Sequence, residues 1–171
     1  MANTYVKIAA MSGTGSSGII TFSSIPQTYT DLLVKISARA STDTQSAPTL
    51  ISVNGNTSNL TSRRILGTGG SAISQSGSGN SGVGGVLTTG NDFTASVFGS
   101  GEVYIPNYTS TTTNKSISID STTENNASGS YIALTALLWS STAAITSLTF
   151  TQEVGNTATN STFTLYGISK S

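Results

Sequence analysis

Apolar and polar side chains alternate along most of this chain, most clearly between residues 32 and 39. Positions 32, 34, 36 and 38 are apolar, and the positions between them carry Lys35, Ser37 and Arg39. A period of two is typical of a strand with one buried face and one solvent-facing face. We therefore expect Lys35, Ser37 and Arg39 on the solvent-facing side.

A corner precedes this strand at Ile25-Pro26. Proline has no N–H to donate, and it favours an extended conformation for the residue before it. We therefore expect the chain to leave one sheet at this corner and to enter the next at residue 32. Ile105-Pro106 ends a later strand in the same way, and a tyrosine follows each proline, at Tyr29 and Tyr108.

Short apolar runs separated by Ser, Thr, Gly and Asn continue to the end of the chain. Asn54-Gly55 follows such a run and predicts a hairpin, with residues 60–66 as the returning strand. No window shows a sustained helical period with caps, apart from residues 130–139, whose pattern also fits a helix. The pattern predicts an all-β, two-sheet antiparallel sandwich with about ten strands and little or no helix. The predicted strands are 5–11, 19–22, 32–39, 49–53, 60–66, 83–87, 93–98, 101–105, 115–120, 130–139, 146–150 and 162–168.

Two segments depart from simple alternation. Residues 67–85 are rich in glycine and serine and have few apolar anchors, which predicts a long loop within a single domain of residues 1–171. Residues 130–139 are apolar on both faces. Such a strand is central in a packed sandwich, or its outer side is covered by a partner.

Charge is scarce in this sequence, with seven basic and seven acidic residues making up 8% of the chain. The neutral balance and the lack of a basic run argue against nucleic-acid binding. No apolar run is long enough for a transmembrane helix, and residues 1–11 do not resemble a secretory signal. We expect synthesis in a cytoplasm, no membrane partner and a hydroxyl-rich surface suited to a large assembly.

Catalytic residue types are largely missing. Without histidine or cysteine there is no Ser-His-Asp triad, thiol nucleophile or imidazole metal ligand. The seven carboxylates show neither the spacing of a paired-carboxylate hydrolase nor a twelve-residue calcium loop. We therefore predict a protein that is not an enzyme, with no catalytic, metal or cofactor-binding residue and no cofactor.

Several aromatic and basic residues are candidates for an interface. Tyr29 and Tyr108 lie at strand ends, and Tyr131 and Trp139 belong to the doubly apolar strand. The place of Trp139 at the end of an apolar strand favours a position in the core. The alternatives are an anchor in an interface or a ring that stacks on a sugar. The adjacent basic residues Arg63 and Arg64 suit a solvent-exposed face or a contact with an acidic neighbour. The interface candidates are Tyr29, Arg63, Arg64, Tyr108, Tyr131 and Trp139.

Four stretches carry a resemblance to a known family: FSSIPQTYTDL at 22–32, GEVYIPNY at 101–108, LLWSSTAAITSL at 137–148 and FTLYGI at 163–168. They resemble small virion structural proteins of tailed bacteriophages, especially phages of cyanobacteria and marine bacteria. The resemblance implies a sandwich of jelly-roll type displayed on the virion. It also implies a capsid cement or decoration protein, with the major capsid protein and further copies of itself, as a homotrimer, for partners. The alternative is a tail or fibre component that binds a host receptor or surface glycan.

Overall fold

The chain forms two antiparallel sheets, and the predicted all-β sandwich is confirmed. The computed structural model describes residues 4–126 and 129–169. The predicted domain of residues 1–171 also includes residues 1–3, 127–128 and 170–171, which lie outside the described residues. One 3-10 turn, Gly82–Gly84, occurs within the described part. The strands described are β1 (Tyr5–Ser12), β2 (Ile19–Phe22), β3 (Asp31–Ala38), β4 (Ser46–Val53), β5 (Leu60–Gly67), β6 (Ala72–Ser78), β7 (Val86–Thr89), β8 (Gly99–Ile105), β9 (Lys115–Glu124), β10 (Ser130–Trp139), β11 (Leu148–Gln152) and β12 (Thr162–Ile168).

The strand order is that of a jelly roll with an extended sheet. The large sheet has the order β1-β12-β3-β8-β9-β10-β5-β6, and the small sheet has the order β2-β11-β4-β7. Without β5, β6, β9 and β10, the remaining strands renumbered along the chain have the order 1-8-3-6 facing 2-7-4-5. This is the eight-stranded jelly-roll arrangement of two Greek keys. The four additional strands extend the large sheet beyond β8, and β10 lies inside that extension.

The core fills the space between the two sheets. The rings of Phe22 and Phe150 meet edge to face at 6.3 Å, and Phe163 of the large sheet lies 5.5 Å from Phe150. The sheets approach closely at Gly101, where a Cβ atom would lie 2.3 Å from a methyl carbon of Val86. Glycine at this position therefore permits the packing of β8 against β7.

The Ile25-Pro26 corner carries the chain from one sheet to the other, as predicted. β2 belongs to the small sheet and β3 to the large one. The Ile25 side chain is buried, and its backbone N–H donates to the Thr146 carbonyl at 3.0 Å. The second corner is tied to the start of β3, because the Asn107 N–H donates to Asp31 Oδ1 at 2.8 Å.

The Asn54-Gly55 turn is present, but the predicted hairpin is wrong. Both residues have positive φ, 51° and 71°, as the dipeptide predicts. However, β4 pairs with β11 and β7, whereas β5 pairs with β10 and β6. The Asn54 side chain explains the redirection: Nδ2 donates to the Ala144 carbonyl at 2.8 Å and Oδ1 accepts the Thr146 N–H at 2.8 Å. The turn is thereby anchored to a distant loop, and the chain crosses to the other sheet.

Arg39 is buried, which corrects its predicted solvent-facing position. Its guanidinium donates to the carbonyls of Phe93, Thr94 and Val97 at 3.2, 3.1 and 3.0 Å. The predicted strand at 93–98 is in fact a loop wrapped around this side chain. Its carbonyls bind a cation instead of a neighbouring strand.

The glycine-rich segment 67–85 contains regular structure, so its prediction as one long loop is also corrected. It holds β6 and the 3-10 turn. A Cβ atom on Gly77 would lie 2.2 Å from Ser81 Oγ, so the turn packs directly against the strand. Glycine here allows close packing where apolar anchors are few.

Candidate interface on the outer face of the large sheet

The large sheet exposes an apolar surface on the side away from the core. Inward side chains of β10 are buried, whereas Ile132, Leu134 and Leu138 point outward and are 63%, 56% and 37% exposed. Ile65 of β5 is 63% exposed and lies opposite Leu134 in the sheet register. These four side chains form what we call the aliphatic patch. The doubly apolar strand thus has one face in the core and one face uncovered in the single chain.

The two borders of the aliphatic patch carry opposite charges. Arg63 of β5 is exposed and lies opposite Ala136 of β10. Asp120 of β9 is exposed on the other side of β10, opposite Leu134. The same face of a second copy is therefore complementary in charge when its β9 side meets the β5 side of the first.

Three tyrosines lie on the same face, on the far side of β9 from the aliphatic patch. Tyr104 of β8 and Tyr166 of β12 flank Leu33 of β3 in the register, and Tyr5 of β1 is 58% exposed. Leu33 is buried between its neighbours. The Tyr104 hydroxyl donates to Asp31 Oδ2 at 2.9 Å, and this hydrogen bond raises the pKa of Tyr104. We call Tyr5, Tyr104 and Tyr166 the tyrosine cluster.

The register brings together two carboxylates that the sequence spacing did not connect. Glu102 of β8 lies opposite Asp120 of β9, and Lys35 of β3 lies on the other side of Glu102. Lys35 and Glu102 form an ion pair. A glycosidase needs two carboxyl groups facing each other across the scissile bond. Neighbouring groups on the solvent-facing side of one sheet, one of them held by a lysine, fit a surface ion pair better.

Tyr108 lies in the core, which removes it from the interface candidates. It is fully buried, and its hydroxyl donates to the Pro26 carbonyl. The ring therefore joins the two Ile-Pro corners and does not face a partner.

Trp139 is also in the core, the position that its place in the strand favoured. It is 2% exposed, and the Lys115 ammonium lies 5.9 Å from its ring centroid. Lys115 is 1% exposed and donates to the carbonyls of Ser110, Thr113 and Thr142 at 2.7, 2.8 and 3.2 Å. Burial lowers the pKa of this ammonium. The lysine joins two loops through their backbone, and Trp139 covers it.

The adjacent arginines are divided between the two faces of β5. Arg63 points outward, whereas Arg64 is 7% exposed beneath the glycine-rich segment. Arg64 Nε and Nη2 donate to Gln75 Oε1 at 2.9 and 2.7 Å, and Nη1 donates to the Gly82 carbonyl at 3.0 Å. Burial lowers the pKa of the Arg64 guanidinium, an effect that Glu153 opposes. Arg64 therefore positions β6 and is unavailable to a partner.

The last two interface candidates are half-buried. The Tyr29 ring packs on Gly167, where a Cβ atom would lie 2.3 Å from ring atoms. Tyr131 stacks on Phe93 at 6.5 Å, and its hydroxyl donates to Gln45 Oε1 at 3.2 Å. Of the six candidates, Arg63 alone is exposed beside the aliphatic patch.

We expect Tyr108→Phe to lower the free energy of unfolding by about 1–2 kcal/mol, because it leaves the Pro26 carbonyl without its donor. The measurement is urea denaturation at neutral pH. Tyr104→Phe is the control, since its hydrogen bond to Asp31 is exposed, and a loss below about 0.5 kcal/mol is expected. Equal losses in the two variants would contradict the structural role of Tyr108.

Alkaline pH is expected to remove the contribution of Tyr108. Burial raises its pKa in the folded state above the ordinary value of 10.0. The unfolded chain then loses this proton first, so the stabilisation is complete below pH 10.0 and is lost as the pH rises toward the folded pKa. Lys115 has the opposite effect, because its lowered pKa adds stability as the pH rises from the folded value to the ordinary value of 10.5.

The comparison of wild type with Tyr108→Phe isolates the tyrosine, since Lys115 is common to both. The stability difference between them is expected to narrow above pH 10.0. If the difference in unfolding free energy stayed constant from neutral to strongly alkaline pH, the raised pKa of Tyr108 would be contradicted.

Neither a metal cluster nor a membrane-spanning helix is found in the part of the chain described. Residues 4–126 and 129–169 contain no group of three or more His, Cys, Asp or Glu placed to hold an ion. No helix within the same ranges has the length and apolar character needed to cross a membrane.

No protein-family model, curated protein or solved structure matches this chain. The jelly-roll arrangement is therefore identified from strand order and register.

Proposed function

We propose that this chain is a phage capsid cement protein, a non-enzymatic virion component that binds the outer capsid surface and stabilises the shell. The observation that carries the proposal is the aliphatic patch, in which three of the four side chains are more than half exposed. Contiguous apolar surface on a soluble domain marks a protein contact. The jelly-roll fold and the resemblance to phage virion proteins support the same assignment.

The aliphatic patch is assigned to the contact between copies in a homotrimer. Opposite charges at its borders, Arg63 and Asp120, suit packing against the same face of another copy. Interface cores favour apolar residues over ions, because a buried charge requires a compensating partner. The low charge of the chain suits such repeated contacts over a symmetric shell.

The major capsid protein is assigned the tyrosine cluster, on the far side of β9 from the aliphatic patch. Tyrosine is enriched at protein interfaces because its ring packs while its hydroxyl forms hydrogen bonds. Tyr104 already shows this combination, through its bond to Asp31.

Removal and replacement of the protein on particles tests the stabilising role. Particles assembled without it are expected to release DNA at a lower temperature, and addition of the purified protein is expected to restore the midpoint. A midpoint that is the same with and without the protein would overturn the cement function.

The tyrosine cluster also favours a second function, binding of a host surface glycan by a tail or fibre component. The exposed Tyr5 ring and the half-buried Tyr166 ring lie beside the Lys35–Glu102 pair and provide stacking surfaces and hydrogen-bonding groups for a sugar. A glycan array distinguishes the two functions. Binding that Tyr166→Ala removes would favour the receptor function, whereas an array without binding would exclude it for the glycans displayed.

A further inference from the structure

The large sheet ends in a strand that has none of the usual protection of an exposed edge. Natural edges are shortened, bulged, charged or covered, because free backbone groups otherwise recruit another strand. At the opposite edge, β1 carries Lys7 and a register shift after it. The edges of the small sheet, β2 and β7, are four residues long. β6 has seven residues, a continuous register, and no charge or proline.

Hydrogen bonds at both ends of the β5–β6 pair show which backbone groups of β6 point away from the sheet. The Thr68 N–H donates to the Ser71 carbonyl at 3.0 Å, and the Gly79 N–H donates to the Leu60 carbonyl at 2.8 Å. Both pairs continue the β5–β6 register, and bonded pairs alternate in an antiparallel ladder. Odd-numbered residues of β6 therefore bond to β5. The residues with outward N–H and C=O groups are Ala72, Ser74, Ser76 and Ser78.

Contacts within the single chain already fix the position of β6. Gln75 accepts two hydrogen bonds from the buried Arg64 guanidinium, and Gly77 packs against Ser81. A fixed strand loses little conformational freedom on binding, which favours the addition of another strand.

We propose that β6 pairs antiparallel with β6 of a second copy, about a twofold axis at Gln75. This register places Ser74 opposite Ser76 of the partner subunit and Ile73 opposite Gly77 of the partner subunit. The isoleucine thus meets the smallest residue of the strand, and no charges oppose each other. All four outward residues fall in hydrogen-bonded pairs, so the two edges satisfy each other completely.

The pairing is independent of the cement function and uses a surface separate from the aliphatic patch. A trimer built through the patch would retain three free β6 edges. Twofold pairing of these edges would connect one trimer to the next.

Proline substitution at the edge tests the proposal. Ser76→Pro removes an outward N–H, which the β5–β6 ladder does not use, and edge strands tolerate proline in this position. The dissociation constant of the β6 pair is expected to rise about 30-fold, because two symmetry-related hydrogen bonds are lost. Ser76→Ala is the matched control and should leave it unchanged. The measurement is sedimentation equilibrium of the full chain, and equal constants for the proline and alanine variants would overturn the proposal.

Cysteine cross-linking tests the register without relying on the proline variant. The chain has no cysteine of its own. Facing residues in a hydrogen-bonded pair lie about 5.5 Å apart, within disulfide range, whereas Ser74 of one copy and Ser74 of the partner subunit are offset by two residues. Oxidation of mixed Ser74→Cys and Ser76→Cys proteins should yield mainly the mixed dimer. Equal amounts of mixed and self-linked dimers, or no dimer, would contradict the register.

Discussion

Replacing Lys115 by methionine is expected to lower the free energy of unfolding by about 3 kcal/mol. The ammonium is the donor to three backbone carbonyls in two loops, and it lies over the Trp139 ring. Hydrogen bonds from a charged group contribute about 1.5–3 kcal/mol each, and removal of the unfavourable burial of the charge offsets part of the loss. Methionine retains most of the side-chain volume. The measured change in unfolding free energy therefore reflects the loss of the hydrogen bonds and not the formation of a cavity.

Lys35→Met provides the matched control for this experiment. Lys35 forms an ion pair with Glu102, but its side chain is 55% exposed. Surface ion pairs contribute about 0–1 kcal/mol, so a small change is expected. Urea denaturation of both variants at neutral pH gives the comparison. A Lys115→Met protein as stable as Lys35→Met would contradict the joining of the loops by Lys115.

Replacing Ile132 and Leu134 together by serine is expected to weaken the association of copies about 100-fold or more. Each side chain is more than half exposed in the single chain, and its burial contributes about 1.5 kcal/mol. The fold itself should be little affected, since both side chains point away from the core. Sedimentation of the purified protein over a wide concentration range measures the change.

Ile19→Ser is the control for the patch, because Ile19 is as exposed as Leu134 but lies on the small sheet. It should leave the association constant unchanged. If the control weakens association as much as the double substitution, general surface apolarity and not the patch would be responsible.

The sequence predicted the fold correctly wherever a local pattern of residues is compatible with only one structure. Alternation at 32–39 predicted β3, and the proline at 26 predicted the crossing between sheets. Asn54-Gly55 specified the dihedral angles of its turn but not the strand that follows. Pairing partners depend on contacts between distant segments, such as Asn54 with residue 146, and no local signal encodes them.

The candidate interface was only partly predictable for a related reason. The doubly apolar strand 130–139 indicated a buried or covered outer face, and the structure shows that face uncovered in the single chain. Tyr104 could have been found, because Val103 and Ile105 point inward and leave it outward. Lys115 could not, since its acceptors include a carbonyl 27 residues away. The patch borders likewise depend on register across three strands.

Cryo-microscopy of intact particles that carry this chain tests the central claim most directly. The account predicts its density on the outer surface of the capsid, with the aliphatic patch buried against a neighbouring copy. Density confined to the tail, or a capsid-bound protein whose patch faces solvent, would contradict it.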